Sequence, residues 1–238
     1  MSAAAPPCGP PFSPRGAWAE VAAADVQAAL RAAFARWGRP LRLRVDNGHP
    51  WAVTGGLPSA LELWAAGVGV TLARNRPRCP QANGVVERSQ GTAKRWADPG
   101  SCAGIDELRR RLAEEDRRQR QEYPALGGLS RLEAHPALLH SGRGYALAWE
   151  RACWDLEAAT RVLAGVTVSR KVSREGKVSL YDRAYVVGAA YRGEAVEVRL
   201  DAAAGAWVFG RGGAELRRQR AVELDRERIM ALSISRQR

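Results

Sequence analysis

Arg76-Pro77-Arg78-Cys79-Pro80-Gln81-Ala82-Asn83-Gly84-Val85-Val86-Glu87-Arg88-Ser89-Gln90-Gly91-Thr92-Ala93-Lys94-Arg95-Trp96 passes from loop to helix within one stretch. Its prolines lie three apart, and Asn83-Gly84 tolerates positive φ, so the first part is a loop. From Val85 onward the residues suit a helix, with Glu87 in the first turn. A carboxylate there faces the positive end of the helix dipole and ionises easily. Lys94 follows seven positions later, on the same face and about 10 Å along the axis. That stripe pairs an anionic with a cationic residue, suited to a metal and a phosphate side by side. Taken alone, it is equally an ordinary solvated helix with a polar start.

Thirty residues upstream, by order of magnitude, a second stretch bears on that choice. Leu41-Arg42-Leu43-Arg44-Val45 alternates apolar and basic residues, as a strand with one buried face does. Asp46-Asn47-Gly48 follows at once and places a carboxylate just beyond the strand. On its own the triplet also reads as a tight turn. A strand-end Asp-Asn-Gly followed by Pro-Gln-x-Asn-Gly-x-x-Glu-Arg at a helix start resembles the catalytic core of retroviral integrases and integrase-like insertion-sequence transposases. These are DDE polynucleotidyl transferases with a ribonuclease-H-like fold. The chain between Asp46 and Glu87 is somewhat longer than is usual in that family.

Composition agrees with a polyanionic partner. Lys and Arg number 37 against 25 Asp and Glu, a net charge of +12. Such an excess favours nucleic acid, although charge alone does not separate DNA from RNA or an anionic membrane surface. Arginine supplies nearly all of it. Four cysteines (Cys8, Cys79, Cys102, Cys153) form no C-x-x-C pair. They read as reduced thiols of an intracellular protein, with neither a disulfide frame nor a zinc site, and His49, His135 and His140 do not cluster with them. No apolar run approaches the ~20 residues of a membrane span.

In chain order, residues 1–14 are small and proline-rich and read as a disordered leader. Trp18 to Trp37 has helical spacing, Gly38-Arg39-Pro40 ends it, and Leu41–Val45 is a strand. Pro58–Ala66 reads as a helix and Val68–Leu72 as a short strand. After the motif loop and the Glu87 helix comes a further helix, Ile105–Glu122, with Ile105, Leu108 and Leu112 as its buried side. Its arginines (Arg109, Arg110, Arg111, Arg117, Arg118, Arg120) are either a solvated face or phosphate contacts. Residues 126–164 read as a linker and a helix.

From residue 165 the period changes. Val166–Val168, Lys177–Tyr181, Tyr185–Val187, Ala195–Leu200 and Trp207–Phe209 are β-type runs separated by Glu175-Gly176, Arg192-Gly193 and Ala204-Gly205. Five short strands suit a small antiparallel barrel over 165–216. The tail, 217–238, is basic and reads as helical at first.

The resemblance implies an α/β fold: a partial ribonuclease-H-like integrase core over residues 15–125, then an SH3-like β-barrel that binds element DNA. The meander that carries the family's first catalytic aspartate has no counterpart here, and Asp25 lies in a helical pattern. The chain is therefore expected to be an N-terminally truncated form, its Leu41–Val45 strand at a sheet edge beside a parallel Val68–Leu72. The resemblance makes Asp46 and Glu87 the second and third metal-binding carboxylates, and magnesium or manganese the cofactor. Lys94, Arg88 and Arg95 become nucleic-acid contacts, with Gln81 and Asn83 in a loop over the site. DNA is the implied partner, with a second copy or a full-length transposase possible, no membrane, and a cytoplasmic, nucleoid-associated location. Two functions stay open: DNA strand transfer, inactive while the first aspartate is missing, and a non-catalytic DNA-binding remnant that interferes with a full-length relative.

Overall fold

The computed structural model describes residues 22–51, 55–75 and 84–235 of the chain. The expected leader, Gln81 and Asn83 lie outside them. The fold is mixed α/β, and the chain forms two compact units that are not contiguous in sequence. One contains residues up to Asn47 together with Ala73–Trp149; the other contains Gly48–Leu72 together with the chain from Glu150 onward.

In the first unit, α1 (Ala23–Trp37) is Ala-rich and buries Gln27, Leu30 and Phe34, one stripe at helical spacing. It stops at Gly38, whose φ of 75° suits glycine. A Cβ there would also meet Ser141 Oγ at 2.3 Å, because the 141–144 segment returns to this helix end. Ser141 N donates to the Trp37 carbonyl and Arg39 N to that of Arg143. β1 (Arg42–Val45) alternates as its sequence does, Leu43 and Val45 inward and Arg42 and Arg44 outward. Leu41 is 73% exposed.

β1 is hydrogen-bonded to β2 (Thr71–Arg74) in a two-stranded sheet. Asn75 N donates to the Val45 carbonyl, so the strands end side by side, as in a parallel pair. β2 starts three residues later than the Val68–Leu72 expected. Val68, Gly69 and Val70 instead donate to the carbonyls of Trp64, Ala66 and Ala65 and close the preceding helix. Gly69 supplies the positive φ, 74°, that this helix end requires.

α3 (Gly84–Ala97) and α4 (Ile105–Gln121) form an αα pair joined through a short 3-10 turn at Pro99–Ser101. Beyond α4, the hairpin of β3 (Pro124–Leu126) and β4 (Leu129–Ser130) turns on Gly127-Gly128, both at positive φ. A reciprocal Ser130–Glu133 capping box then starts α5 (Arg131–Ala134).

The second unit is built around α2 (Ala60–Gly67), started by Ser59 and buried from Leu61 through Gly67. A helix buried all round needs cover on every side, which α7 (Leu156–Ala164) and α8 (Arg226–Met230) help to supply. α6 (Leu147–Cys153) brings Glu150 and leads to Trp154, both of which hydrogen-bond to Trp64 of α2.

The rest of this unit is β-structure. β5 (Thr167–Lys171), β8 (Ala195–Asp201), β9 (Ala206–Arg211) and β10 (Ala214–Arg220) form one antiparallel sheet in the order β10-β9-β8-β5. β6 (Lys177–Leu180) and β7 (Arg183–Val186) form a separate hairpin. β10 is a correction to the sequence reading, in which this segment opens a helical basic tail. Its polar residues give no alternation, yet it pairs with β9 from Ala214↔Arg211 to Arg220↔Ala206. Glu223, just beyond it, is fully buried and accepts from Trp207 Nε1 at 2.8 Å and from the Tyr185 hydroxyl.

Candidate nucleic-acid interface

In the first unit the expected site residues fall on two elements. Asp46 stands exposed one residue beyond β1, and the Asn47 amide next to it donates to the Asn75 carbonyl at 2.9 Å. That bond ties the turn after β1 to the residue after β2. Glu87 is exposed in the first turn of α3. Among the described residues, no group of three or more His, Cys, Asp or Glu side chains is placed to hold a metal ion.

α3 has two distinct sides. Ser89, Ala93 and Ala97 are half-buried or buried, whereas Glu87, Arg88, Gly91, Lys94 and Arg95 are exposed. At 3.6 residues per turn, Glu87, Gly91 and Lys94 form one stripe and Arg88 and Arg95 the next. Among the described residues Arg88, Lys94 and Arg95 take part in no ion pair. Three unpaired cations on one helical face suit a phosphate backbone.

α4 is different. Arg109 pairs with Asp106, Arg111 with Glu107, Arg117 with Glu114 and Glu122, and Arg118 with Glu114. The arginines are thus mostly neutralised within their own helix. Arg117, with help from Arg118, holds the Glu114 carboxyl down to about 2. The Ala103 N–H and then Arg111 hold Glu107 below its ordinary value. Arg120 donates to the Leu138 carbonyl at 2.7 Å and lies over Trp37. These residues serve the helix and its packing more than a phosphate.

The seam between α3 and α4 also departs from expectation. Ile105 is 47% exposed, while Glu115 and Gln119 are buried. Ser89 Oγ donates to Gln119 Oε1 at 3.0 Å, and Gln119 Nε2 donates to Glu115 Oε1 at 3.1 Å. Leu108 and Leu112 of the expected apolar side are half-buried, and a polar relay continues that side toward the end of α4. At the far end of α3, Trp96 is 55% exposed and packs edge-on against Tyr123, ring centroids 6.1 Å apart. Neither aromatic carries a role in the sequence reading; only Trp96's place on the motif helix pointed to it.

In the second unit the outer face of the four-stranded sheet is of mixed charge, with Lys171, Arg199, Arg218 and Arg220 beside Glu197, Asp201 and Glu215. The cross-strand row Thr167–Arg199–Val208–Arg218 shares one side, with Arg220 opposite Ala206 on the same side. Val208 is buried even here, between two arginines whose stems are long enough to cover it. Arg218 is bound to Asp201 and to Glu215. Among the described residues Lys171, Arg199 and Arg220 have no ion pair.

No protein-family model matches the chain.

Proposed function

We propose that this chain is a DNA-binding protein of the integrase-like transposase kind. In this reading the first unit carries a partial ribonuclease-H-like core and the second an SH3-like DNA-binding module. The observation that carries it is the order and placement of two carboxylates: Asp46 just past β1, a β2 that ends beside β1, and Glu87 in the first turn of α3. Arg88, Lys94 and Arg95 on that helix, without an ion pair among the described residues, supply phosphate contacts, and Lys171, Arg199 and Arg220 on the sheet add more.

Asp46 and Glu87 offer hard oxygen ligands of the type magnesium takes, enough for weak capture of one ion. They do not fit a two-ion arrangement, which in this reading needs a further carboxylate from another polypeptide. By itself the chain binds DNA without cutting or joining it. The test is DNA affinity across a salt series. Counterion release predicts a steep loss between 50 and 200 mM salt, and Arg88→Ala/Lys94→Ala/Arg95→Ala should make the log–log slope shallower by about 2–3. An affinity independent of salt, or a slope the triple variant leaves unchanged, overturns the assignment.

A further inference from the structure

Trp96 is the largest exposed side chain of the motif helix, and it forms a wall common to two surface openings of the first unit. One, of about 230 Å³, is otherwise lined by α4 residues including Glu107, Arg110, Glu114 and Arg118. The other, of about 480 Å³, lies among Arg117, Glu122, Tyr123 and Pro124. The Tyr123 ring stands at 76° to the indole, so the two are not stacked, and the exposed indole has ring surface left for a further planar partner. The charges on either side differ in kind. Along α3, Arg88, Lys94 and Arg95 are unpaired among the described residues, whereas the arginines around Trp96 are balanced by glutamates.

That division separates what each surface can take. Unpaired cations attract a phosphate chain. A charge-balanced opening offers both guanidinium donors and carboxylate acceptors around a flat aromatic ring, which suits an uncharged, planar group with donors and acceptors on its edge. A nucleobase has that chemistry, and an unpaired base offers its faces and edge together, whereas inside a duplex both faces are already stacked. We infer that Trp96 is a stacking platform for an unpaired DNA base, its strand held by Arg95 and Arg88 on the adjoining stripe of α3 and continuing past Lys94. The inference deepens the DNA-binding reading and rests on it: the preferred ligand is DNA with a single-stranded or frayed end rather than a closed duplex.

The experiment compares the full chain's affinity for a blunt duplex with that for the same duplex bearing a short single-stranded overhang. The readout is the ratio of the two affinities, which cancels general losses. The wild type should prefer the overhang by roughly tenfold, the scale of one base stacked on an aromatic side chain. Trp96→Phe should keep most of that preference. Trp96→Leu, which retains apolar bulk without a ring face, should bring the ratio to about one. Arg88→Ala/Lys94→Ala/Arg95→Ala should weaken both ligands and preserve the ratio. A wild-type ratio near one, or a preference that survives in Trp96→Leu, overturns the platform while leaving the DNA reading intact. Failure to bind either DNA overturns both.

Discussion

Trp64 of α2 donates its indole N–H to the carboxylate of Glu150 at 3.0 Å, and neither side chain has any exposed surface. The two are far apart in sequence, and their bond joins the two segments that make up the second unit. The Trp64 carbonyl in turn accepts from the Trp154 indole at 3.0 Å. A buried donor and acceptor are costly to leave unmatched, so this pair specifies how α6 meets α2.

Glu150→Ala should therefore destabilise the protein by about 2 kcal/mol or more, from a cavity and an orphaned indole N–H together. Glu150→Gln, which keeps an acceptor oxygen, should cost less. Urea midpoints read through tryptophan fluorescence check both. Equal costs would mean that the Trp64 bond contributes little.

Two glycines should respond in opposite directions. At Gly67 a Cβ would lie 2.0 Å from the Trp154 ring, so Gly67→Ala should cost about 1–3 kcal/mol through overpacking. At Gly91, on the exposed side of α3, nothing lies within 4 Å. Gly91→Ala should stabilise by up to about 1 kcal/mol, because alanine loses less backbone entropy in a helix. Thermal melts of both variants against the wild type settle the signs.

Burial pushes the phenols of Tyr181 and Tyr185 well above the ordinary 10, and the adjacent Glu223 carboxylate adds to both. A raised folded-state value means that the neutral form is the one the fold favours. The stability this gives is complete below pH 10 and falls as pH rises beyond it. Spectrophotometric titration should find both phenols still protonated in folded protein at about pH 11, ionising only as the chain unfolds. Phenolate absorbance from Tyr185 at pH 10 without unfolding would contradict the buried Tyr185–Glu223 bond.

The full chain should neither cleave nor join DNA with magnesium or manganese. Strand transfer that disappears in Glu87→Gln would show that a third acidic ligand completes the site. Gel assays on labelled duplex ends give the answer directly.

The strand pattern beyond residue 165 was legible because Val168, Val178, Leu180, Val196, Val198 and Leu200 alternate with exposed neighbours. β10 was not legible. It is a sheet-edge strand whose Arg217, Arg218 and Arg220 are all exposed, so no periodic apolar signal exists to read. The polar end of α4's buried side was hidden for a related reason, although Leu108 and Leu112 are half-buried as expected. Gln119, which accepts from Ser89 on another helix, donates to Glu115 one turn back, and partner identity is absent from a single helix's periodicity. The motif was informative about local structure, a carboxylate after a strand and another at a helix start. It was silent on α2, which a linear reading places with the strands that flank it and which instead belongs with the chain beyond Glu150.

That arrangement of α2 bears on how the protein is made. The ribosome releases Leu61 through Gly67 long before α7, and α8 emerges later still. At roughly 5–20 residues per second, this helix, buried from Leu61 through Gly67, waits on the order of ten seconds for its cover. During that interval it is a natural binding site for a nascent-chain chaperone. Expression yield should accordingly depend on translation speed downstream of Gly67, with synonymous codons slowing residues 73–149 the most damaging.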